Sequence, residues 1–177
     1  MKITLKDGSV IEREKGISCF EIAKSISEGL ARAAVGAVVD GKKVDLSYVP
    51  NNDCALSILT ARDEDGLEIY RHSAAHIMAQ AVKRLYKDVK FAIGPAISNG
   101  FYYDIEFSRP VGKEDLDAIE KEMAAIVKED LPFVRKEVSR SEALDFMRLK
   151  GETYKVELIE ELPEDAVITF YSHGEFT

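Results

Sequence analysis

Short runs of alternating apolar and polar residues fill most of the first 60 positions. The run from Ile3 to Leu5, the turn pair Asp7-Gly8 and the apolar residues after it predict a β-hairpin. Ser18 and Glu21 have the spacing of a capping box and predict a helix, with Gly29 as its terminator. Three more strands follow, the middle one short, with the clearest runs at Val35 to Val39 and Ala55 to Leu59. This order, β-β-α-β-β-β, predicts a β-grasp, ubiquitin-like module.

The next segment, from Ile69 to Tyr86, repeats its apolar residues with the period of a long helix. His72 and His76 are four residues apart, so both imidazoles lie on one face of that helix. The apolar stripe is expected on the other face, at Ala74, Ile77, Met78, Ala81 and Leu85. We therefore expect the two histidines, with Ala79 and Lys83 beside them, to point at water or into a cleft.

The charged segment at 61–68 suits a short linker or a helix lead-in. The residues after it alternate between helix and strand patterns, which predicts a second, α+β unit. An amphipathic helix is predicted before the breaker Pro132. A second capping box, Ser139 with Glu142, predicts another helix, which Gly151 ends. Strands are predicted at Phe101 to Phe107, Phe133 to Val138, Tyr154 to Leu158 and Val167 to Tyr171. The fold class expected for the whole chain is α+β.

Composition and charge argue against several classes of protein. Of the 177 residues, 46% are hydrophobic and 32% are charged, which is typical of soluble globular proteins. No apolar run is long enough to cross a bilayer, and the first residues lack the apolar core of a signal peptide. Cys19 and Cys54 have neither metal-site nor disulfide spacing, which favours a reduced, cytoplasmic setting. The net charge of −8 argues against non-specific nucleic-acid binding by bulk electrostatics.

Three chemical interpretations of the histidine pair stay open on the pattern alone. Two of the chain's three histidines stand one helical turn apart. They fit chance exposure, half of a metal site, or acid–base chemistry near neutral pH. A zinc-protease helix would carry Glu directly after the first histidine, as in H-E-x-x-H. Ser73 occupies that position, which argues against this class of metalloprotease.

Further motifs give the histidine pair a context. The segment R-H-S-A-A-H-I-M at 71–78 is followed by A-I-G-P-A-I-S-N-G-F-Y-Y-D-I at 92–105, and G-E-T-Y-K-V lies at 151–156. Behind a β-grasp unit, this order of motifs resembles the amino-terminal region of the threonyl-tRNA synthetase family. The resemblance covers essentially the whole chain. It implies a TGS domain of β-grasp fold at 1–61 and an α+β editing domain at 62–177.

In that family the parent enzyme attaches threonine to its tRNA with ATP, and the editing domain hydrolyses serine wrongly esterified to the same tRNA. A second site is needed because one methyl group is worth only about 1–3 kcal/mol in a pocket. The resemblance implies three catalytic residues: His72 orients or deprotonates water, His76 shapes the site, and Lys155 stabilises charge on ester or ribose oxygens. It also implies Tyr103 and Asp104 as substrate-binding residues, although a packing tyrosine and a capping or turn aspartate fit these positions equally well.

The family pattern is incomplete in this chain. In the family a C-x-x-x-H element follows a segment resembling residues 171–177, and the chain stops before the expected cysteine. His173 falls outside that element and is expected to be a strand or turn residue. The catalytic domain, which would bind ATP, magnesium and zinc, and the anticodon-binding domain are not present in the sequence. We therefore expect a piece of a longer enzyme that takes no cofactor and holds no metal itself.

The resemblance also implies partners. The acceptor end of tRNA is the expected partner, the parent enzyme is expected to be a homodimer, and no membrane association is expected. Two rival classes stay open: a free-standing TGS-containing module that binds RNA or protein, and a zinc-dependent deacylase of the alanyl-type editing family. Tightly held zinc in the purified protein would favour the second rival. Unchanged seryl-tRNA hydrolysis in a His72→Ala variant would favour the first.

We expect the 177-residue chain alone to form no aminoacyl-tRNA, and to hydrolyse seryl-tRNA much more slowly than a complete editing domain. The reason is the absence of the C-x-x-x-H element. Incubating the purified chain with seryl-tRNA and following loss of the ester measures this rate. A rate close to that of a complete editing domain would contradict the expectation.

Overall fold

A computed structural model describes all 177 residues and divides them into two compact units, Met1–Arg71 and His72–Thr177. The first unit contains β1 (Lys2–Leu5), β2 (Val10–Glu12), α1 (Cys19–Ile26), α2 (Glu28–Ala33), β3 (Ala34–Val39), β4 (Lys42–Val44) and β5 (Cys54–Thr60). Helix α3 (Glu64–Leu85) begins in the first unit and ends in the second. Of the two alternatives for the charged segment at 61–68, a short linker or a helix lead-in, the second is confirmed, because most of the segment forms the start of this helix.

One five-stranded sheet with the order β2-β1-β5-β3-β4 organises the first unit. The first and last strands, β1 and β5, pair in parallel at its centre, while the other neighbours pair antiparallel. Helix α1 contributes Ile22 to the core of this sheet, where Ile3 and Leu56 are also fully buried. Central parallel pairing of the terminal strands is the topology of a β-grasp, so the predicted fold of this unit is confirmed.

The capping box predicted for α1 is present, but the predicted helix end is wrong. The Ser18 hydroxyl accepts from the Glu21 amide, and the Glu21 carboxylate accepts from the Ser18 amide. Helix α1 stops at Ile26, because Ser27 adopts an extended conformation and caps α2 by accepting from the amides of Gly29 and Leu30. Gly29 therefore lies inside a second helix, since a serine at the N-cap stabilises a helix start.

The second unit follows with nine further elements. They are β6 (Lys90–Phe91), β7 (Ala96–Ile97), β8 (Gly100–Phe101), β9 (Ile105–Glu106), α4 (Lys113–Lys128), β10 (Phe133–Val138), α5 (Arg140–Lys150), α6 (Thr153–Glu161) and β11 (Ile168–His173). The strands form three antiparallel pairs, β6-β9, β7-β8 and β10-β11. One core joins α3, α4 and β6, and another joins α5, α6 and β11. This is the α+β architecture expected from the sequence.

Two predicted strands of this unit need correction. Tyr154 to Leu158 is helical, as part of α6, because Gly151 ends α5 with a φ of 71° and the chain turns directly into a new helix. Val156 and Ile159, three residues apart, then pack in the core with α5. The predicted strand from Phe101 to Phe107 is split into β8 and β9, with residues 102–104 between them outside any strand.

Helix α3 is buried on more faces than its apolar stripe predicts. Ala79, expected beside the histidines, has no exposed surface, whereas Leu85, expected in the core, is 40% exposed. The reason is tertiary: residues near the end of the chain add a second apolar layer around Ala79, in which Phe176 is buried. None of the six helices combines the length and the apolar composition that spanning a bilayer requires.

Replacing Ile22 with Ala should reduce the free energy of unfolding of the first unit by about 2–5 kcal/mol, because this side chain has no exposed surface. Ile26→Ala on the same helix is the matched control, since Ile26 is 39% exposed and its truncation should cost about 1 kcal/mol or less. Amide hydrogen exchange of β1 and β5 in the whole chain measures both values. Equal losses in the two variants would contradict the packing of α1 described above.

Candidate active site

Two imidazoles meet on one face of α3. Nε2 of His76 lies 3.2 Å from Nε2 of His72, and the ring centroids are 4.8 Å apart. At this distance one ring donates its Nε2–H and the other accepts with an unprotonated Nε2. His72 is exposed, whereas His76 is half-buried. The imidazole of His72 is therefore open to solvent, and the imidazole of His76 contacts it from the side of the protein interior.

Aromatic rings enclose His76. The centroids of Phe133, Tyr171 and Phe176 lie 6.2, 6.4 and 6.2 Å from the His76 centroid, each in an edge-to-face arrangement. Tyr171 also meets the ring of His72 at 6.3 Å. Edge-to-face pairs of this kind contribute about 0.5–1.5 kcal/mol each beyond the area that they bury. The strand pair β10-β11, which carries Phe133 and Tyr171, thus forms an apolar wall against the histidine pair.

This enclosure changes the acid–base properties of His76. Burial, followed by the charges of His72, Lys155 and His173, lowers the pKa of His76 from 6.5 to about 4. Its Nδ1 is also buried and has no hydrogen-bond partner. A protonated ring would therefore be poorly solvated, and His76 is a neutral imidazole at neutral pH. A neutral imidazole can accept a proton or a hydrogen bond.

Lys155 reaches the same place from α6. Its ammonium donates to the main-chain oxygen of Thr177 at 3.1 Å and lies 5.4 Å from the centroid of the Phe176 ring. Because Phe176 also contacts His76, one aromatic ring is shared by the imidazole and the ammonium. Burial is the main cause that lowers the pKa of Lys155. Phe176 thus brings the Lys155 ammonium near His76, and a catalytic role for Lys155 stays a prediction.

Tyr103 and Asp104 differ in their surroundings. The Tyr103 ring packs edge-on against Phe91, with centroids 5.6 Å apart, and rests on the main chain of Gly94. Burial, then the charge of Glu152, raises the pKa of the Tyr103 hydroxyl to about 12. Asp104 is exposed, and its main chain bonds with Ala92 and Ile93, continuing the β6-β9 pairing. Substrate contact by either residue stays a prediction.

An ion pair between Glu152 and Lys83 lies close to these residues, and the sequence predicted only Lys83 near the histidines. Glu152, the N-cap residue of α6, is only 8% exposed, and its Oε1 accepts from Nζ of Lys83 on α3 at 2.9 Å. Lys83 also lies over the Phe91 ring at 5.5 Å. The only sequence signal for Glu152 was its place in G-E-T-Y-K-V, three residues before Lys155. A contact with a lysine 69 positions earlier leaves no trace in the local pattern.

The third histidine, His173, has a structural role. His173 ends β11, is 4% exposed, and its Nδ1 donates to Oε1 of Gln80 on α3 at 2.7 Å. Its ring packs on Phe133, with centroids 4.6 Å apart. The expectation that His173 is a strand or turn residue is therefore confirmed. The hydrogen bond from His173 to Gln80 joins β11 to α3, and so helps to position the strand pair β10-β11 that covers His76.

No group of three or more His, Cys, Asp or Glu side chains is arranged to hold a metal ion. What this chain does assemble is a pair of imidazoles, an ammonium and three aromatic rings. Such a set can orient a water molecule, accept its proton and stabilise a developing oxyanion.

Comparison with known proteins adds the family context. Residues 1–60 match the family described as TGS domain. Over 176 residues, 99% of the chain, it is 55% identical to a threonine–tRNA ligase of Desulforamulus reducens and 57% identical to one of Caldanaerobacter subterraneus. A third such ligase, from Clostridioides difficile, is 52% identical over 177 residues. The chain spans 28%, 27% and 28% of the lengths of these three curated relatives.

The lowered pKa of His76 has a consequence for acid stability. Between pH 6.5 and about 4 the unfolded chain binds a proton at this residue that the folded chain does not. Stability therefore falls as the pH is lowered through this window, by up to about 1.4 kcal/mol per pH unit from this group. In a His76→Gln variant this contribution is absent. Denaturant unfolding of both proteins at several pH values measures the difference, and parallel profiles would contradict the burial of His76.

Proposed function

Because the chain corresponds to the N-terminal region of threonine–tRNA ligases and carries their TGS domain, we propose that its second unit hydrolyses mischarged seryl-tRNA. The parent protein would attach threonine to this tRNA with ATP, and this region would remove serine attached in error. The observation that supports the proposal most is the shared Phe176 ring, with the imidazole of His76 on one side and the ammonium of Lys155 on another. This arrangement supplies a base and a cation within one apolar enclosure.

The chemistry follows from the two kinds of group. A water molecule adds its oxygen to the ester carbonyl and loses a proton to the exposed imidazole of His72, which His76 supports at 3.2 Å. The carbonyl oxygen becomes an oxyanion, and the ammonium of Lys155 offsets its charge in a site where burial weakens solvent screening. The intermediate then releases the ribose oxygen, which takes the proton back from the imidazolium. The products are free serine and uncharged tRNA.

The low pKa of His76 is consistent with His72 acting as the base and His76 supporting it. A neutral His76 can accept the Nε2 proton of His72, which leaves Nδ1 of His72 as the basic nitrogen that faces solvent. A supporting hydrogen bond of this kind fixes ring orientation and tautomer. In this mechanism the base and the cation are side chains of the protein itself, and no cofactor takes part. The partner is the acceptor end of the tRNA.

Two substitutions test the site directly. The assay uses a hybrid protein in which this chain replaces the matching residues of the Desulforamulus reducens ligase. Loss of the ester from seryl-tRNA measures its hydrolysis by the hybrid. His72→Ala and Lys155→Met should each lower the rate by roughly 100-fold or more, because each removes a base or an oxyanion partner. Threonylation with ATP, measured in the same preparations, should change little.

The matched control for the charge is Lys150→Met, which removes an exposed lysine from α5. It should leave hydrolysis of seryl-tRNA at the unsubstituted rate. If His72→Ala and Lys155→Met also hydrolyse at that rate, this site is not the hydrolytic centre. Retention of threonylation in all variants shows that any loss is confined to the proofreading reaction.

A further inference from the structure

The proposed base, His72, is an exposed side chain on α3. Its imidazole is attached to the main chain through two rotatable bonds. A group that takes part in a reaction must be held to within about 0.5 Å and 10–20° of its working geometry. The hydrogen bond between Nε2 of His72 and Nε2 of His76, 3.2 Å long, holds one nitrogen but does not by itself fix the plane of the ring. A second contact is needed for that.

The ring of Tyr171 supplies a second contact. Its centroid lies 6.3 Å from the centroid of His72, with 71° between the ring planes, and 6.4 Å from that of His76, with 62° between the planes. The two imidazole centroids are 4.8 Å apart, so the three rings form a closed triangle. Edge-to-face contacts depend on ring orientation because they arise from the quadrupole of the ring. The half-buried ring of Tyr171 therefore favours one orientation of each imidazole.

Two successive contacts between β11 and α3 determine where Tyr171 lies. Two residues after Tyr171, and on the same face of β11, the ring of His173 is bonded to Gln80 at 2.7 Å. Gln80 follows His76 by four residues. A strand rises about 6.6 Å over two residues and a helix about 6 Å over four, so the two contacts match in spacing along both elements. The bond between His173 and Gln80 thus fixes β11 on α3 next to Tyr171.

The neighbouring strand restricts Tyr171 from another side. In the register of β10 and β11, Tyr171 lies opposite Arg135, and His173 lies opposite Phe133. Side chains directly opposite each other have Cβ atoms about 4.5–5.5 Å apart. The guanidinium of Arg135 also donates to Glu137 on the same strand at 2.8 Å. Tyr171 is consequently bordered by side chains of β10 as well as fixed by the strand pairing.

We propose that Tyr171 is a positioning residue: its ring holds the imidazole of His72 in the orientation that the hydrogen bond with His76 requires. The inference deepens the proposed function and rests on it only in taking His72 as the base. Tyr171 acts through His72 and touches no reacting atom. Because the contacts are made by the ring, Tyr171→Phe should retain this role and Tyr171→Ala should lose it.

The side-chain conformation of His72 tests the proposal without any reaction. Three-bond NMR couplings about the Cα–Cβ bond of His72, measured in the whole chain, distinguish one rotamer from an average of several. They should indicate a single rotamer in the unsubstituted chain and in Tyr171→Phe, and an average in Tyr171→Ala. A single, unchanged rotamer in Tyr171→Ala overturns the proposal, and so does averaging in either of the other two proteins.

Hydrolysis of seryl-tRNA by the hybrid ligase is the second measurement. Tyr171→Ala should lower kcat by roughly 10- to 100-fold with little change in KM, because misplacing a reacting group by about 1 Å costs up to about 100-fold. Tyr171→Phe should restore most of the unsubstituted kcat. A raised KM with unchanged kcat in Tyr171→Ala would assign the ring to substrate binding and overturn the proposal. Equal losses of kcat in Tyr171→Phe and Tyr171→Ala would overturn it as well.

The matched control is Val134→Ala, because Val134 is 54% exposed and lies on the other face of the same strand pair. It should leave the couplings of His72 and the kcat of the hybrid at their unsubstituted values. Losses equal to those of Tyr171→Ala would indicate general loosening of the strand pair and overturn the proposal. If Tyr171→Ala does not fold, Tyr171→Leu keeps most of the volume without the flat ring and is judged by the same outcomes.

Failure of the proposed function gives a different result. In that case His72→Ala hydrolyses seryl-tRNA at the unsubstituted rate. The couplings of His72 in the Tyr171 variants still decide whether the ring of Tyr171 holds the imidazole.

Discussion

Removal of basic groups from water is the constraint on which the second unit depends. His76 and Lys155 are both taken out of solvent by aromatic rings, and in both cases burial is the largest cause that lowers the pKa. A protein tolerates this cost when the groups are neutral or compensated. His76 is neutral, and the Lys155 ammonium keeps a hydrogen bond to the main-chain oxygen of Thr177. The rings of Phe133, Tyr171 and Phe176 therefore determine the protonation of His76 as well as the shape of its surroundings.

Local patterns predicted the first unit well. The strand alternation, the Asp7-Gly8 turn and the Ser18 capping box each depend on residues within a few positions of one another, and each is present. The second capping box at Ser139 and the left-handed Gly151 were predicted for the same reason. The helix end at Gly29 was wrong because Ser27 stabilises a new helix start two residues earlier.

The site itself was only partly accessible from the sequence. Helical periodicity brings His72 and His76 together, but the family resemblance was needed to add Lys155. The local alternation around Lys155 indicated a strand, whereas packing of Val156 and Ile159 against α5 makes this segment helical. Glu152 and the aromatic wall depend on contacts across many residues, such as the 69 that separate Lys83 from Glu152. No periodicity within one element encodes such a pair.

The close contact between the Tyr103 ring and Gly94 limits the movement of that ring. A Cβ atom at position 94 would lie 2.3 Å from Cδ2 of Tyr103, so the ring presses against bare main chain with no space for even a methyl group. The phenol ring is consequently held between the main chain at Gly94 and the ring of Phe91, whose centroid lies 5.6 Å away. Main-chain atoms block any shift of Tyr103 toward residue 94, so this part of the core cannot widen by moving the ring in that direction.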